Sequence, residues 1–346
     1  MNTKNNLWNA AFSFPPAPRP KEGTLWKERY GRRGPRVPLN DHIKNKALTI
    51  GHQLFANLLG FLKIKAGYIR SRTGATHRKF SLKDSLAYID RMKSDYDNFG
   101  SLGDVSRWDI LEIGPGDNLG IPLLYFAAGA KKATALDRFY SYRDANQQKA
   151  IYDALIERLP AEQRERAEKA FSDRAESKFN PEAIECLYGT GIDDPRIIDR
   201  LGKYDLIISR AVMMEVCNLE QALENLVRML KPGGLMLHKV DFRDYWMLSK
   251  HHHPLTFLTI DNKLWKMMSS HRANSNRRLL NVYCEELGRL GLTVEIPQRT
   301  KYQAKDHDEN KWLSQIKDKL LPRYKILPDD ILLTSGAFIV AKKPNV

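Results

Sequence analysis

The residues with the clearest chemical potential lie in the stretch 108–139, where glycines and acids interrupt two apolar runs. The run at 110–113 is typical of a strand that is covered on both faces in a parallel sheet. Gly114, Gly116 and Gly120 then mark a turn from strand to helix, where the missing Cβ lets the backbone approach a ligand. Asp137 ends the next apolar run, and an acid there can accept hydrogen bonds from ribose hydroxyls. The stretch therefore predicts a pocket for a nucleoside-containing cofactor.

The spacing of these glycines separates two classes of cofactor. A nicotinamide-binding turn follows G-x-G-x-x-G, but Leu119 occupies the third glycine position here and Gly120 comes one residue later. The run EIGPGDNLG, which begins at Glu112, instead resembles the first motif of class I S-adenosylmethionine-dependent methyltransferases, E-x-G-x-G-x-x-x-G. The resemblance implies an α/β, Rossmann-like fold: a seven-stranded, mostly parallel sheet with helices on both faces. It also implies S-adenosyl-L-methionine as the cofactor.

Later segments extend this resemblance over roughly residues 81–343. The run KYDLIIS at 203–209 predicts another buried strand, and a helix predicted over 219–230 ends before KPGG at 231–234. These segments are similar to the family pattern D-x-I-x-S…V-L-E-H-V…L-K-P-G-G, except that Glu215 stands where the family has a histidine. Further strands are predicted near Leu187 and at 235–240, 292–296 and 337–342. Helices are predicted from Ser81 to about Asn98 and over 142–159 and 161–171.

The resemblance also assigns the cofactor contacts. Gly114 and Gly116 are expected beside the methionine and ribose parts, and Asp137 is expected to bind both ribose hydroxyls. Ile192 or Asp193 is expected beside the adenine. The full predicted set is Glu112, Gly114, Gly116, Asp117, Asp137, Arg138, Ile192, Asp193, Ser209 and Arg210.

Methyl transfer to a hydroxyl benefits from a base that removes the proton as the new bond forms. Ligands of open α/β sheets gather beyond the carboxyl ends of the strands, so we expect this base to follow the fourth or fifth strand. A histidine is favoured because imidazole titrates near operating pH. His238 lies within the predicted fifth strand and is expected to be a core histidine. The candidate bases are Glu215, Asp241, Asp244, His251, His252 and His253.

Neither a metal site nor a disulfide framework is predicted. Adjacent histidines point in different directions, and Ser209 and Arg210 stand where metal-dependent catechol-type relatives need an acid. The chain has three cysteines and no C-x-x-C pair, which argues against a zinc ribbon or a disulfide framework. This cysteine usage suits a reducing cytoplasm, and no signal-peptide pattern is visible.

Basic charge is concentrated in the first 80 of the 346 residues. They hold 16 Lys and Arg against 3 Asp and Glu, a net charge of +13, while the remaining 266 residues carry +2. We predict a flexible, basic, proline-rich leader over 1–46 and an apolar and basic helical segment over 47–80. The methyltransferase domain is predicted over 81–346, with insertions at about 138–185 and 242–281.

The segment 47–80 has two principal interpretations. Five apolar residues from Leu54 to Leu62 have helical spacing and are followed by Lys63 and Lys65, whereas Gln53 and Asn57 make the helix a poor membrane span. The helix either packs on the catalytic domain or lies on an anionic membrane at the inner membrane face. Binding of RNA by the basic leader is the third interpretation, but no recognised nucleic-acid module accompanies it.

These features favour an enzyme that O-methylates a polar acceptor, first a sugar or glycan and second a secondary metabolite. The segment 242–281 is rich in His, Asp, Arg and aromatic residues, which suits a polar acceptor, and it resembles uncharacterised bacterial methyltransferases of surface-glycan or natural-product pathways. A cofactor-binding pseudoenzyme and an RNA methyltransferase are the alternatives. Against the latter, the catalytic domain is nearly neutral and lacks an N/D-P-P-Y/F tetrapeptide.

Overall fold

A computed structural model describes residues 45–71, 74–245, 247–272, 274–302 and 308–345. The predicted leader, apart from its last two residues, lies outside the described residues. The domain boundaries therefore stay predictions.

A single seven-stranded sheet organises the catalytic part of the chain. Its strands are β1 Asp109–Ile113, β2 Lys132–Asp137, β3 Ile184–Tyr188, β4 Tyr204–Arg210, β5 Leu230–Asp241, β6 Thr293–Lys301 and β7 Thr334–Lys342. Their order across the sheet is β6–β7–β5–β4–β1–β2–β3, and β7 runs antiparallel to both of its neighbours. The other pairs are parallel. The predicted Rossmann-like fold is confirmed.

Register places the chemically important turns at one edge of the sheet. Ile113, at the end of β1, pairs with Leu136 of β2 on one side and with Ser209 of β4 on the other. Side chains alternate between the two faces, so Ile110 joins one hydrophobic core and Leu111 the other. The residues that follow β1, β2 and β4 therefore emerge beside each other.

Helices cover both faces. The described ones are α1 Lys46–Lys65, α2 Leu82–Phe99, α3 Gly120–Ala127, α4 Ala145–Glu157, α5 Ala161–Glu168, α6 Leu219–Met229, α7 Asn262–Ser269, α8 Leu280–Arg289, α9 Glu309–Ser314, α10 Pro322–Lys325 and α11 Asp329–Leu333. As predicted, Ser81 caps α2, its hydroxyl accepting a hydrogen bond from the Asp84 amide at 3.2 Å. The helix predicted over 161–171 is shorter, because a small antiparallel pair of strands, 171–173 with 178–179, follows it.

Two connecting segments lie near the carboxyl ends of the strands. The segment after β5 buries Phe257, Trp265 and Met268 in the core on the side of α6 and α8. The connection from β6 to β7 carries α9, α10 and α11 and buries Trp312 in the same core. These three short helices were not predicted, since each is six residues or fewer and too short for a periodic pattern to identify.

The helix α1 packs on α7, where Asn57 donates a hydrogen bond to the Met267 carbonyl oxygen at 2.8 Å. Among the described residues, α1 is also the one helix that is long and apolar enough to cross a membrane by length and composition. Only 17% of the most apolar stretch of this helix is buried against the rest of the protein.

Candidate cofactor-binding and catalytic site

A pocket opens at the carboxyl ends of the central strands. The residues after β1 and β2 form one part of its wall, the loop after β3 forms a second, and the turn after β4 forms a third. The lining residues are Ile113, Gly114, Leu136, Asp137, Arg138, Phe139, Thr190, Gly191, Ile192, Asp193, Val212, Glu215, Val216 and Arg272.

The glycine turn after β1 is built on close approaches that no side chain could tolerate. Gly114 has φ +68°, and a Cβ added there would lie 2.2 Å from Cγ2 of Val212. Gly116 has φ +67°, and its added Cβ would lie 2.5 Å from the carbonyl oxygen of Gly74. Gly114 therefore exposes bare backbone to the pocket, whereas Gly116 receives the segment that precedes α2.

The Asp137 carboxyl is fixed by the backbone around it. The Phe139 amide donates to Oδ1 of Asp137 at 3.0 Å, and the amides of Gly116 and Arg138 also favour its charged form. Burial outweighs these hydrogen bonds and raises the pKa of Asp137 to about 6. A carboxylate in this position can accept hydrogen bonds from two adjacent hydroxyls.

Glu112 lies beneath the turn and does not line the pocket directly. Its side chain is buried, and Oε2 has no hydrogen-bond partner among the described residues. Burial, together with the charge of Asp137, raises the pKa of Glu112 to about 8. The unpartnered oxygen of this carboxyl is available to a hydrogen-bonding group that enters with a ligand.

These walls fit the nucleoside part of S-adenosylmethionine. Leu136 and Ile192 offer apolar surface for a planar ring, Asp137 offers acceptors for ribose hydroxyls, and Gly114 leaves room for close approach. Asp193 lines the same wall and also accepts a hydrogen bond from the Asn218 amide at 3.2 Å.

Asp117 was expected at the cofactor but is committed elsewhere. Its two carboxylate oxygens accept hydrogen bonds from the amides of His77 at 3.1 Å and Arg78 at 2.8 Å. The side chain is fully buried and is not among the pocket-lining residues. It anchors the segment before α2 against the glycine turn.

Ser209 and Arg210, which were also expected at the cofactor, contact other side chains and are not among the residues that line this pocket. The Ser209 hydroxyl lies 2.8 Å from Nδ1 of His238, and both side chains are completely buried. Burial lowers the pKa of His238 to about 4, so its imidazole is neutral, in keeping with a core histidine. Arg210 forms an ion pair with Asp95 of α2 at 2.7 Å. These residues tie β4 to its neighbours and do not line the pocket.

The three adjacent histidines do not reach this pocket. His252 and His253 line a separate cavity, together with Lys46 and Lys319. The His253 ring lies 4.2 Å from the ring of Trp312, centroid to centroid, and its Nε2 lies 3.1 Å from the Trp312 carbonyl oxygen. His251 is not among the lining residues of either cavity.

The carboxylates after β5 are likewise occupied. Asp241 forms an ion pair with Arg243, whose Nε donates to Oδ1 at 2.8 Å. Asp244 accepts hydrogen bonds from the amides of Leu248 at 2.7 Å and Ser249 at 3.0 Å, which turns the chain after β5. Neither side chain lines the cofactor pocket.

Glu215 is the candidate base that the structure brings to the pocket. The chain leaves β4 through Ala211, which has φ +57°, and a short 3-10 turn over Met213–Glu215 then directs the carboxyl toward Asp137. Burial raises the pKa of Glu215 to about 8, the nearby Tyr245 hydroxyl opposes this rise, and the charge of Asp137 adds to it. A non-glycine residue with positive φ is strained and is common at functional turns.

Sequence reasoning did not single out three residues of this site. Val212 packs against Gly114, Tyr245 faces Glu215, and Arg272 closes the pocket from the segment after β5. Tyr245 and Arg272 belong to the aromatic and basic run that marked this segment, but their positions depend on its path. Among the described residues no group of three or more His, Cys, Asp or Glu side chains could hold a metal ion.

Sheet order, glycine turn and the acid after β2 together define a class I S-adenosylmethionine-dependent methyltransferase. Residues 76–289 match the family model of a methyltransferase domain, and the chain belongs to that family. It is therefore a methyltransferase enzyme, and its cofactor is S-adenosylmethionine.

The chain is similar to solved structures at low identity and low TM-score. A putative methyltransferase from Listeria monocytogenes is 13% identical over 73% of this chain and 99% of its own, with a TM-score of 0.37. A Mesorhizobium loti methyltransferase is 15% identical over 74% and 100%, with a TM-score of 0.38. The Haemonchus contortus phosphoethanolamine N-methyltransferase 2 is 14% identical over 74% and 52%, also at 0.38. These values identify no acceptor, and no curated protein matches the sequence.

Proposed function

We propose that the chain transfers the methyl group of S-adenosylmethionine to a hydroxyl oxygen of a sugar or glycan, with Glu215 as the general base. The observation that carries this proposal is a carboxyl in the pocket wall whose pKa burial raises to about 8. A base with a pKa near the operating pH is partly unprotonated and is still basic enough to accept the proton. A hydroxyl acceptor needs such a base, because its oxygen carries a proton that must leave as the new bond forms.

For methyl transfer, the protein mainly has to align the acceptor with the methyl group. When bound, S-adenosylmethionine supplies an electrophilic methyl group on a sulfonium. Gly114 and Asp137 would hold the cofactor, which would supply the methyl group, and the Glu215 carboxylate would take the proton that the acceptor hydroxyl loses. Walls that include Val212 and Val216 exclude water from this step.

Tyr245 is the positioning residue in this scheme. It has φ +52°, so the backbone after β5 is bent to bring the ring inward. Its hydroxyl lies beside the Glu215 carboxyl, and burial there raises the pKa of Tyr245 well above its usual value. A neutral phenol that stays protonated can hold the carboxylate toward the pocket.

The polar part of the pocket wall supports a polyhydroxylated acceptor. Arg272 and Thr190 offer donors to such an acceptor. Guanidinium groups with fixed forks suit hydroxyl, carboxylate and phosphate groups of sugars and sugar phosphates. A secondary metabolite is the second candidate, favoured by the apolar surface of Phe139 in the same wall.

Replacement of Glu215 by Gln tests the proposal. Turnover should fall by ~10²–10⁴ while the affinity for S-adenosylhomocysteine, measured by calorimetry, stays unchanged. Glu162→Gln, at an exposed position of α5, is the matched control and should leave both values as in the native chain. Labelled methyl transfer is measured on a panel of oligosaccharides, nucleotide sugars and phenolic polyketides. Native turnover in Glu215→Gln would exclude this base, and labelling of phenols alone would exclude the sugar acceptor.

A further inference from the structure

The helix α1 is inverted relative to an ordinary surface helix. Its polar residues Thr49, Gln53 and Asn57 are buried against the protein. Five large apolar residues point outward instead, with Leu48 64% exposed and Phe55 61% exposed, while Ile50 and Leu54 are partly buried against the core. Leu58, Leu59 and Leu62 belong to the same outward face. The face that should drive packing in water is therefore the one that the fold leaves uncovered.

Specific hydrogen bonds fix this orientation. Asn57 donates from Nδ2 to the Met267 carbonyl oxygen at 2.8 Å, and its Oδ1 accepts from the His271 amide at 2.8 Å. Gly60 allows the close approach, since a Cβ there would lie 2.7 Å from the carbonyl oxygen of His271. Rotating the helix to bury its leucines would leave these polar groups unpaired. The hydrogen bonds therefore hold the apolar face outward.

Positive charge frames the apolar face. At about 100° per residue, Lys63 and Lys65 lie roughly 80° to either side of the line through Phe55. No acidic residue occurs in the sequence between Asp41 and Asp84, and residues 1–80 carry a net charge of +13. Lysines at the margins of an apolar face can extend their stems along it and keep the ammonium groups in water.

We propose that α1 is an interfacial helix that lies on an anionic membrane surface. Its outward leucines and Phe55 enter the boundary between headgroups and acyl chains, while Lys63 and Lys65 meet the lipid phosphates. Apolar burial and basic residues near an anionic surface act together in such binding. The charge of the surface favours an anionic membrane over other partners. A second copy of the chain, or its own basic leader, would bring more positive charge next to Lys63 and Lys65.

This docking places the cofactor pocket next to the lipid. Gln53 on the inner face of α1 accepts a hydrogen bond from Arg272 of the pocket wall at 2.7 Å. A helix is about 10–12 Å across with its side chains, so roughly that distance separates the pocket wall from the membrane. Access of a lipid-linked glycan from the membrane follows from this geometry and rests on the proposed function, whereas the docking itself does not.

Vesicle sedimentation with the full chain tests the docking. The native chain should bind vesicles of phosphatidylcholine and phosphatidylglycerol, bind pure phosphatidylcholine more weakly, and lose affinity as salt rises. The double substitution Phe55→Gln with Leu59→Gln keeps the charge and should weaken binding at least about tenfold. Leu82→Gln with Ile326→Gln, which changes residues of similar exposure elsewhere, is the matched control and should bind as the native chain does.

Each remaining outcome overturns the proposal. Native protein that stays in the supernatant with anionic vesicles has no such surface. Equal loss, or no loss, in the two double variants removes α1 as the contact. Self-association that only Phe55→Gln with Leu59→Gln abolishes, measured by sedimentation equilibrium, assigns the face to a second copy. Affinity for S-adenosylhomocysteine, equal in all three proteins, shows that the variants are folded and keeps this test separate from that of Glu215.

Discussion

Gln53 and Arg272 are hydrogen-bonded at 2.7 Å, and this contact joins a helix outside the matched family domain to the wall of the cofactor pocket. The family match begins at residue 76, so α1 is an addition of this chain to the common fold. Its polar face nevertheless holds the loop that carries Arg272. The shape of the pocket therefore depends on a segment that the family pattern does not contain.

Asn57→Ala should loosen this attachment. The substitution leaves the Met267 carbonyl and the His271 amide without their partner, at a cost of about 1–3 kcal/mol in the free energy of unfolding. Urea denaturation measures this cost, and amide hydrogen exchange should show faster exchange in α1. Asn98→Ala, at an exposed position, is the control and should have little effect. An unchanged exchange rate in α1 would mean that other contacts hold the helix.

Asp137→Ala should weaken cofactor binding. The substitution removes the buried acceptor that the Phe139 amide orients, and it leaves ribose hydroxyls unpaired in the pocket. The affinity for S-adenosylhomocysteine should fall by about 1–3 kcal/mol in calorimetry. Asp90→Ala removes a carboxylate from a surface ion pair with Arg158 and should bind as the native chain does. Equal affinities in the two variants would remove Asp137 from the site.

Local sequence patterns predicted the strands of the sheet and the glycine turn well. The apolar runs near Ile110 and Leu206 are buried on both faces of the sheet, and such strands are recognisable from composition alone. The glycine turn was also predictable, because Gly114 and Gly116 meet neighbours at distances that exclude a Cβ. Both features follow from local composition: apolar residues in the strands, and glycine where the turn leaves no room for a Cβ.

Residues whose roles depend on distant partners were not predictable. Asp117 belongs to the cofactor motif by position, but its partners His77 and Arg78 come from a segment about forty residues earlier. The leucines of α1 predicted a helix correctly, yet contacts with distant groups, such as the Met267 carbonyl oxygen and Arg272, decide which face turns inward. The histidines at 251–253 depend on the path of an irregular segment, which periodicity cannot supply.

Stability should fall as pH rises through the neutral range, and Glu112 contributes to this. Its pKa is about 8 in the folded chain against 4.5 for the free side chain, so the folded state keeps a proton that the unfolded state releases. The stabilisation is therefore complete below about pH 4.5 and is lost between about pH 4.5 and 8. Glu112→Gln, which stays neutral, should flatten this slope in urea titrations without cofactor. Glu162→Gln should keep the native slope, and an equally steep slope in Glu112→Gln would contradict the assignment.

Gly114→Ala should both destabilise the fold and close the pocket. The new methyl group would lie 2.2 Å from Cγ2 of Val212, and overpacking of this kind costs about 1–3 kcal/mol. The positive φ of +68° adds roughly 1–2 kcal/mol for any residue with a Cβ. Gly291→Ala isolates the backbone cost, because Gly291 has φ +83° with open space around it, and Gly103→Ala has neither problem.

The expected order of destabilisation in urea is therefore Gly114→Ala, then Gly291→Ala, then Gly103→Ala. Combining Gly114→Ala with Val212→Ala should recover part of the steric cost and none of the backbone cost, so a double-mutant cycle should show a favourable coupling between the two sites. Affinity for S-adenosylhomocysteine should fall only in the variants that change Gly114 or Val212. Additive effects in the cycle would mean that the Val212 side chain moves aside freely and that the turn tolerates a methyl group.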